Sequence, residues 1–152
     1  MASLSAALAG SLVFAPAATA NVHDDDNLYS IEGCRVPGSA QFKFSLWYNS
    51  GQNGTYRNVG YSVYNFDALV PGGSDPGAYP MKFCILRDGG KTPGSGQRVK
   101  NNAAAGENFH YKYTARVYYK SGYKGVYDAM APYQHIDRFP NVYNENASFK
   151  WV

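Results

Sequence analysis

The sequence predicts an all-β protein, on three observations. Fourteen tyrosines, eight phenylalanines and sixteen glycines stand against few leucines, a composition that favours strands and turns over helices. Several segments alternate apolar and polar side chains with a period of two. An eight-residue phrase, Trp47-Tyr48-Asn49-Ser50-Gly51-Gln52-Asn53-Gly54, returns as Tyr118-Tyr119-Lys120-Ser121-Gly122-Tyr123-Lys124-Gly125. The aromatic pair, the Ser-Gly and the final Gly recur in register, so the chain reads as two copies of one supersecondary unit.

Residues 1–20 carry no charge, run through an apolar stretch at 6–15 and end in Ala18-Thr19-Ala20, the pattern of a secretory signal peptide. The expected location is therefore extracellular, and no later segment has the roughly 20 apolar residues of a membrane span. Residues 21–37 are expected to form an N-terminal tail that brings the first cysteine, with the acidic stretch 21–27 solvated, and residues 38–152 to form one domain. Cys34 and Cys84 are the only cysteines, and in an exported chain such a pair forms one disulfide. A net charge of +3 without a run of more than two basic residues excludes a nucleic-acid footprint.

The first strand is expected over 41–48, where Phe42, Phe44, Leu46 and Tyr48 share a face. Residues 49–54 are all turn formers and reverse the chain into an aromatic-rich strand over 56–66. An irregular loop at 70–77 precedes a short strand at 81–86, and a second loop at 87–97 holds four glycines and Pro93. Such an exposed, anchor-poor loop is a candidate for binding. The longest alternation, 109–120, predicts the longest strand; residues 101–107 read as no more than a turn, and 147–152 as a last strand with Phe149 and Trp151 on one face.

The second copy, Tyr118-x4-Tyr123-x-Gly125, resembles the aromatic, aromatic, glycine signature of the βγ-crystallin Greek-key motif; the first, Trp47-x4-Gln52-x-Gly54, lacks its middle aromatic. The resemblance implies a sandwich of two Greek keys, with the aromatics as a corner stacked over each hairpin and the glycines supplying a backbone shape closed to other residues. Polar segments follow each copy, Asn101-Asn102-Ala103-Ala104-Ala105-Gly106 and Asn144-Glu145-Asn146-Ala147-Ser148-Phe149. With the signal peptide, Val99-Lys100-Asn101-Asn102-Ala103-Ala104 and residues 144–151 look most like the small secreted actinobacterial proteins of the metalloprotease-inhibitor family built on a crystallin-type fold. That likeness implies inhibition of an extracellular protease by an exposed loop, for which 87–97 is the first choice, with Arg87, Asp88, Lys91, Thr92 and Pro93 as contact residues entering the cleft in extended form.

No cofactor is required by this reading, but calcium is the ligand the resemblance implies, and Asn144, Glu145 and Ser148 are its candidate ligands. The chain is not read as an enzyme: no nucleophile elbow or HExxH spacing occurs, and His135, Asp137 and Ser121 make only a loose base, orienter and nucleophile set. Two alternatives stand beside inhibition. Tyr111, Tyr113, Tyr118 and Tyr119 offer ring faces to a cell-wall carbohydrate, and the polar segments offer the basis of a calcium-stabilised structural protein.

Overall fold

The computed structural model describes residues 23–72 and 78–152; the expected signal peptide and part of the 70–77 loop lie outside them. A short helix α1 (Asp24–Tyr29) and a 3₁₀ turn (Ile31–Cys34) lead into strands β1 (Phe44–Asn49), β2 (Asn53–Val59), β3 (Ala105–Asn108), β4 (Ala115–Lys120), β5 (Lys124–Met130), β6 (His135–Ile136) and β7 (Ser148–Trp151). All strand pairs are antiparallel. They form two sheets, in the order β2-β1-β3-β6 and β5-β4-β7.

The repeated phrase builds the two hairpins, and it does so with the same irregularity. The β1–β2 register slips between Trp47 and Asn49, and the β4–β5 register slips between Tyr118 and Lys120. Positive φ falls at Gly51, Gln52 and Gly54 in one turn and at Gly122, Tyr123 and Gly125 in the other. Gly54 and Gly125, at φ 75° and 79°, take a backbone shape that a side chain would strain.

The sheets are tied together crosswise. Val63, from the first half, pairs with Phe149 beside the second sheet, while β6, from the second half, pairs with β3 in the first. Hydrogen bonds repeat this exchange: Gly122 N donates to Tyr64 O (2.8 Å) as Gly51 N donates to Asp137 O (2.8 Å). Phe66 N donates to Ala147 O (3.0 Å) as Phe139 N donates to Ala104 O (2.9 Å). At the centre the polar segments face each other, with Asn101 N donating to Asn146 O (2.8 Å) and Asn144 N to Ala103 O (2.9 Å). The two units thus form one pseudo-symmetric body within one chain.

Between the sheets, Phe44 of β1 stacks on Phe149 of β7 with ring centres 4.4 Å apart, and Trp151 meets both rings edge-on. Phe42, Phe44 and Leu46 are buried, as their alternation predicts, and Phe149 lies beside them with Val59, Val63, Val117 and Met130. The long connection from 60 to 104 adds Phe66, Leu69, Met81, Phe83 and Val99 to this core.

Four expectations are corrected. The acidic stretch is not a solvated tail: Asp24 accepts from Val70 N (2.8 Å), and the Asn27 amide, fully buried, is bonded to Gly60 N, Tyr61 N and Tyr61 O. Strand β3 forms where a turn is expected, and it carries a glycine where Phe139 crosses it. A Cβ on Gly106 would lie 2.8 Å from Phe139, so the ring takes the space a larger residue would need. The expected strand over 109–120 begins only at Ala115, since Asn108 Oδ1 accepts from His110 N (2.8 Å) and His110 Nδ1 from Lys112 N (2.9 Å), folding 108–113 into side-chain-capped turns. Residues 81–86 are extended but make only an isolated bridge, Lys82 to Arg98.

Ser148 has a hydroxyl buried at the second hairpin, where it accepts from Tyr123 N (3.1 Å) and donates to Lys120 O (2.7 Å). The symmetry-related residue is Ala105. Ser148→Ala is expected to cost about 2 kcal/mol by urea unfolding, the loss of two hydrogen bonds at a buried site; an unchanged midpoint would mean that the hydroxyl is not what holds the turn.

Candidate functional site

The surface around the disulfide is assembled from three separated segments. Ser30 caps the 3₁₀ turn, its hydroxyl accepting from Glu32 N (3.2 Å), which sets Cys34 at the turn's end. Behind it, buried Asn58 donates to Glu32 O (2.9 Å) and Arg35 O (2.7 Å) and accepts from Ser45 Oγ (2.7 Å). Cys84 is held against β2, its N donating to Tyr56 O (3.0 Å) and its O accepting from Thr55 Oγ1 (2.6 Å). Cys34 and Cys84 then form the expected disulfide, with Cα atoms 5.6 Å apart.

Around this bond Ile31, Val36 and Ile85 are 73%, 67% and 70% exposed. Together with Cys34, Arg35, Tyr56, Leu86 and Arg87 they surround a recess of about 620 Å³. Nothing in a single stretch of sequence announces this face; the usable signal is that Ile31, Val36 and Ile85 are each an apolar residue within three positions of a cysteine.

The loop at 87–97 continues directly from this face, and it is not slack. Asp88 accepts from Gly90 N (3.0 Å) and from the Thr92 hydroxyl, bonds that hold its carboxyl below the usual carboxylate range, the Thr92 hydroxyl most strongly. Ser95 N donates to Thr92 O, Gln97 N to Gly94 O, and Phe83 N to Gln97 O. Pro93 O accepts from Thr55 N (3.0 Å) of the first hairpin, and Gly94 lies against Tyr48, where a Cβ would fall 2.2 Å from the ring. Arg87, Asp88, Lys91 and Pro93 remain exposed, with Thr92 half-buried. The loop is therefore a fixed run of turns, and the extended segment expected at its tip is not present.

The hairpin corners differ as their sequences do. Tyr118 is buried, 6.1 Å from Tyr123 and 5.3 Å from Tyr127 between ring centres, whereas Trp47 tilts on Tyr56 at 5.2 Å and Gln52, in place of Tyr123, donates to Ile136 O (3.2 Å). No protein-family model matches the chain, and no curated protein matches it. Two solved structures are similar. One comes from work on the evolution of the eye lens beta-gamma-crystallin domain fold, with 9% identity, a TM-score of 0.46, and coverage of 73% of this chain and 85% of that one. The other is the N-terminal domain of Protein S, with 12% identity, a TM-score of 0.46, and coverage of 72% and 94%. The fold is βγ-crystallin-like.

In this βγ-crystallin-like frame the polar segments do not suit a calcium ion. Asn144 and Glu145 are exposed, but the buried Ser148 hydroxyl is committed to the hairpin. The recess beside them is lined by Lys100, Asn101, Lys120, Ser121, Asn144 and Glu145, and the Lys100 ammonium lies 3.1 Å from Asn65 Oδ1 and 3.4 Å from Ser121 Oγ. A recess lined by two lysines and a single carboxylate, Glu145, does not make the oxygen-rich anionic shell that calcium needs. The loose catalytic set also separates: His135 is 3.6 Å from Asp137, both exposed, but Asp137 is bonded to the first hairpin and Ser121 sits in the second. Of the four tyrosines offered to sugar, Tyr118 belongs to the core, while Tyr111, Tyr113 and Tyr119 are exposed. Among the described residues no helix is long and apolar enough to cross a membrane.

Proposed function

We propose that the protein is a secreted inhibitor of an extracellular protease, a metalloprotease being the class its sequence resemblance favours, and that it binds with the disulfide face and the adjoining loop. The carrying observation is the recess flanked by Ile31, Val36 and Ile85, three apolar side chains left to water beside a covalent anchor. Clustered exposed apolar groups of this kind mark protein-binding surfaces. Arg87 on the same recess favours an acidic group on the partner, Arg35 being paired with Glu32. The cross-tied loop supports the reading too, because a segment already ordered loses little conformational entropy on binding. With its tip folded in turns, the loop meets the enzyme as a rigid knob at the cleft edge rather than as an added strand.

The test is titration of a thermolysin-type metalloprotease, a serine protease and a cysteine protease with the protein from residue 21 onward, disulfide intact. Stoichiometric loss of one activity is expected, and an Ile85→Asp variant with unchanged melting should weaken it at least tenfold. Full activity of all three enzymes at excess protein would overturn the reading.

One observation favours a second reading, binding of a glycan. Tyr61, His110, Tyr113 and Trp151 line a groove of about 390 Å³ with Gln41 and Lys43, ring faces beside hydrogen-bonding groups. Retention on insoluble polysaccharide that Tyr113→Ala abolishes would support it.

A further inference from the structure

We infer that the pocket over Arg57 is a binding site for a carboxylate carried on an apolar body. Arg57 lies on β2 opposite Leu46, and its side chain is 9% exposed. Nη2 donates to Asn27 O (2.5 Å) and Leu28 O (2.9 Å) at the end of α1, and Nη1 approaches Cys34 Sγ at 3.5 Å. Nε is buried and finds no acceptor. Among the described residues no carboxylate pairs with this guanidinium; the arginine ion pairs are Arg35 with Glu32 and Arg98 with Asp67.

Carbonyl dipoles at a helix end soften a buried positive charge but do not neutralise it. Burial lowers the Arg57 pKa to about 10, so the group stays charged at neutral pH and its charge stays uncompensated. A structural role alone, stapling α1 to β2, explains the two carbonyl contacts. It does not explain an uncompensated charge at the wall of a cavity.

That cavity, about 270 Å³, is lined by Leu28, Tyr29, Arg57, Tyr79, Pro80 and Lys82. Two cations suit one anionic head: with Nη2 committed to the α1 carbonyls, the remaining N–H groups of the guanidinium and the Lys82 ammonium are the donors for a carboxylate. Two tyrosines, a leucine and a proline suit an aromatic or aliphatic body beside it. An inorganic anion would leave those walls unused, and a neutral aromatic would leave the charge unmet. The carboxylate belongs either to a small organic acid or to the chain end of a peptide with an apolar last residue. The site adjoins the disulfide but shares no lining residue with the proposed inhibitory recess, and its test does not depend on any protease.

The experiment is a ¹H–¹⁵N NMR titration of the full mature chain with phenylacetate, with acetyl-Gly-Phe bearing a free carboxylate, with the amide of each, and with inorganic phosphate. Saturable shifts of the Leu28, Tyr79 and Lys82 amides are expected with one or both acids and not with their amides. Tighter binding of the peptide assigns the site to chain ends, and tighter binding of phenylacetate to free acids. Lys82→Ala, on the exposed rim, should weaken the acid about fivefold with melting unchanged, and Arg57→Met should abolish binding if it folds. No shift with either acid, equal shifts with the amides, or equal binding of phosphate would each overturn the assignment.

Discussion

Removing the disulfide, by a Cys34→Ser, Cys84→Ser double variant or by reductant, should lower the melting temperature by roughly 12 °C. The bond closes a loop of 50 residues, and restricting a loop of that length in the unfolded chain is worth about 4 kcal/mol. A domain of this size loses about 3 °C for each kcal/mol. The face is expected to suffer more than the core, because Ile31 and Val36 are fixed relative to Ile85 through this bond, while Asn58 still holds the turn to β2. Calorimetry with and without dithiothreitol measures the effect. A midpoint that does not move on complete reduction would show that polar contacts, chiefly those of Asn27 and Asn58, already fix the N-terminal segment.

Phe149→Ala should cost about 3–5 kcal/mol, the range for deleting a buried aromatic ring. Phe149 is fully buried and meets Phe44 from the opposite sheet, and its backbone pairs with both Val63 and Val117. A loss of that size is a large part of the total stability of an ordinary domain. Phe44→Ala empties the same space from the other side. The double variant should therefore cost less than the sum of the two single ones by urea denaturation, since residues sharing a cavity are not additive. Strict additivity would show that the sheets relax independently and that the stack is not their common support.

The hairpins, the inward face of β1, the Phe149 and Trp151 face and the disulfide were all legible in the sequence, because each rests on a local signal: turn chemistry, period two or a cysteine pair. The misses have an equally local cause. The Asp24 to Asn27 stretch carries no apolar pattern, and its burial is satisfied by polar bonds to residues more than thirty positions away, such as Asn27 to Tyr61. Strand β3 carries a glycine where Phe139 crosses it, a partner no window of sequence contains. In the 109–114 stretch the alternation is real, yet Asn108 and His110 side chains outbid the ladder for the backbone. The exposure of the 87–97 loop was legible, but its order was not, because Pro93 and Gly94 are held by Thr55 and Tyr48 from the first hairpin. The charge at Arg57 was invisible for the same reason, since nothing in its flanking residues says that no acid will reach it.

The crosswise exchange bears on what a single backbone cut would do. Both cysteines precede the exposed tip at 88–93, so a cut there would leave two fragments with no covalent link between them. They would still be interlocked, one lending Val63 to the sheet of the other and receiving β3, with β6 beyond it, in return. Such a nicked molecule keeps its shape as a non-covalent pair, and the severed ends stay beside each other, poised for rejoining rather than escape.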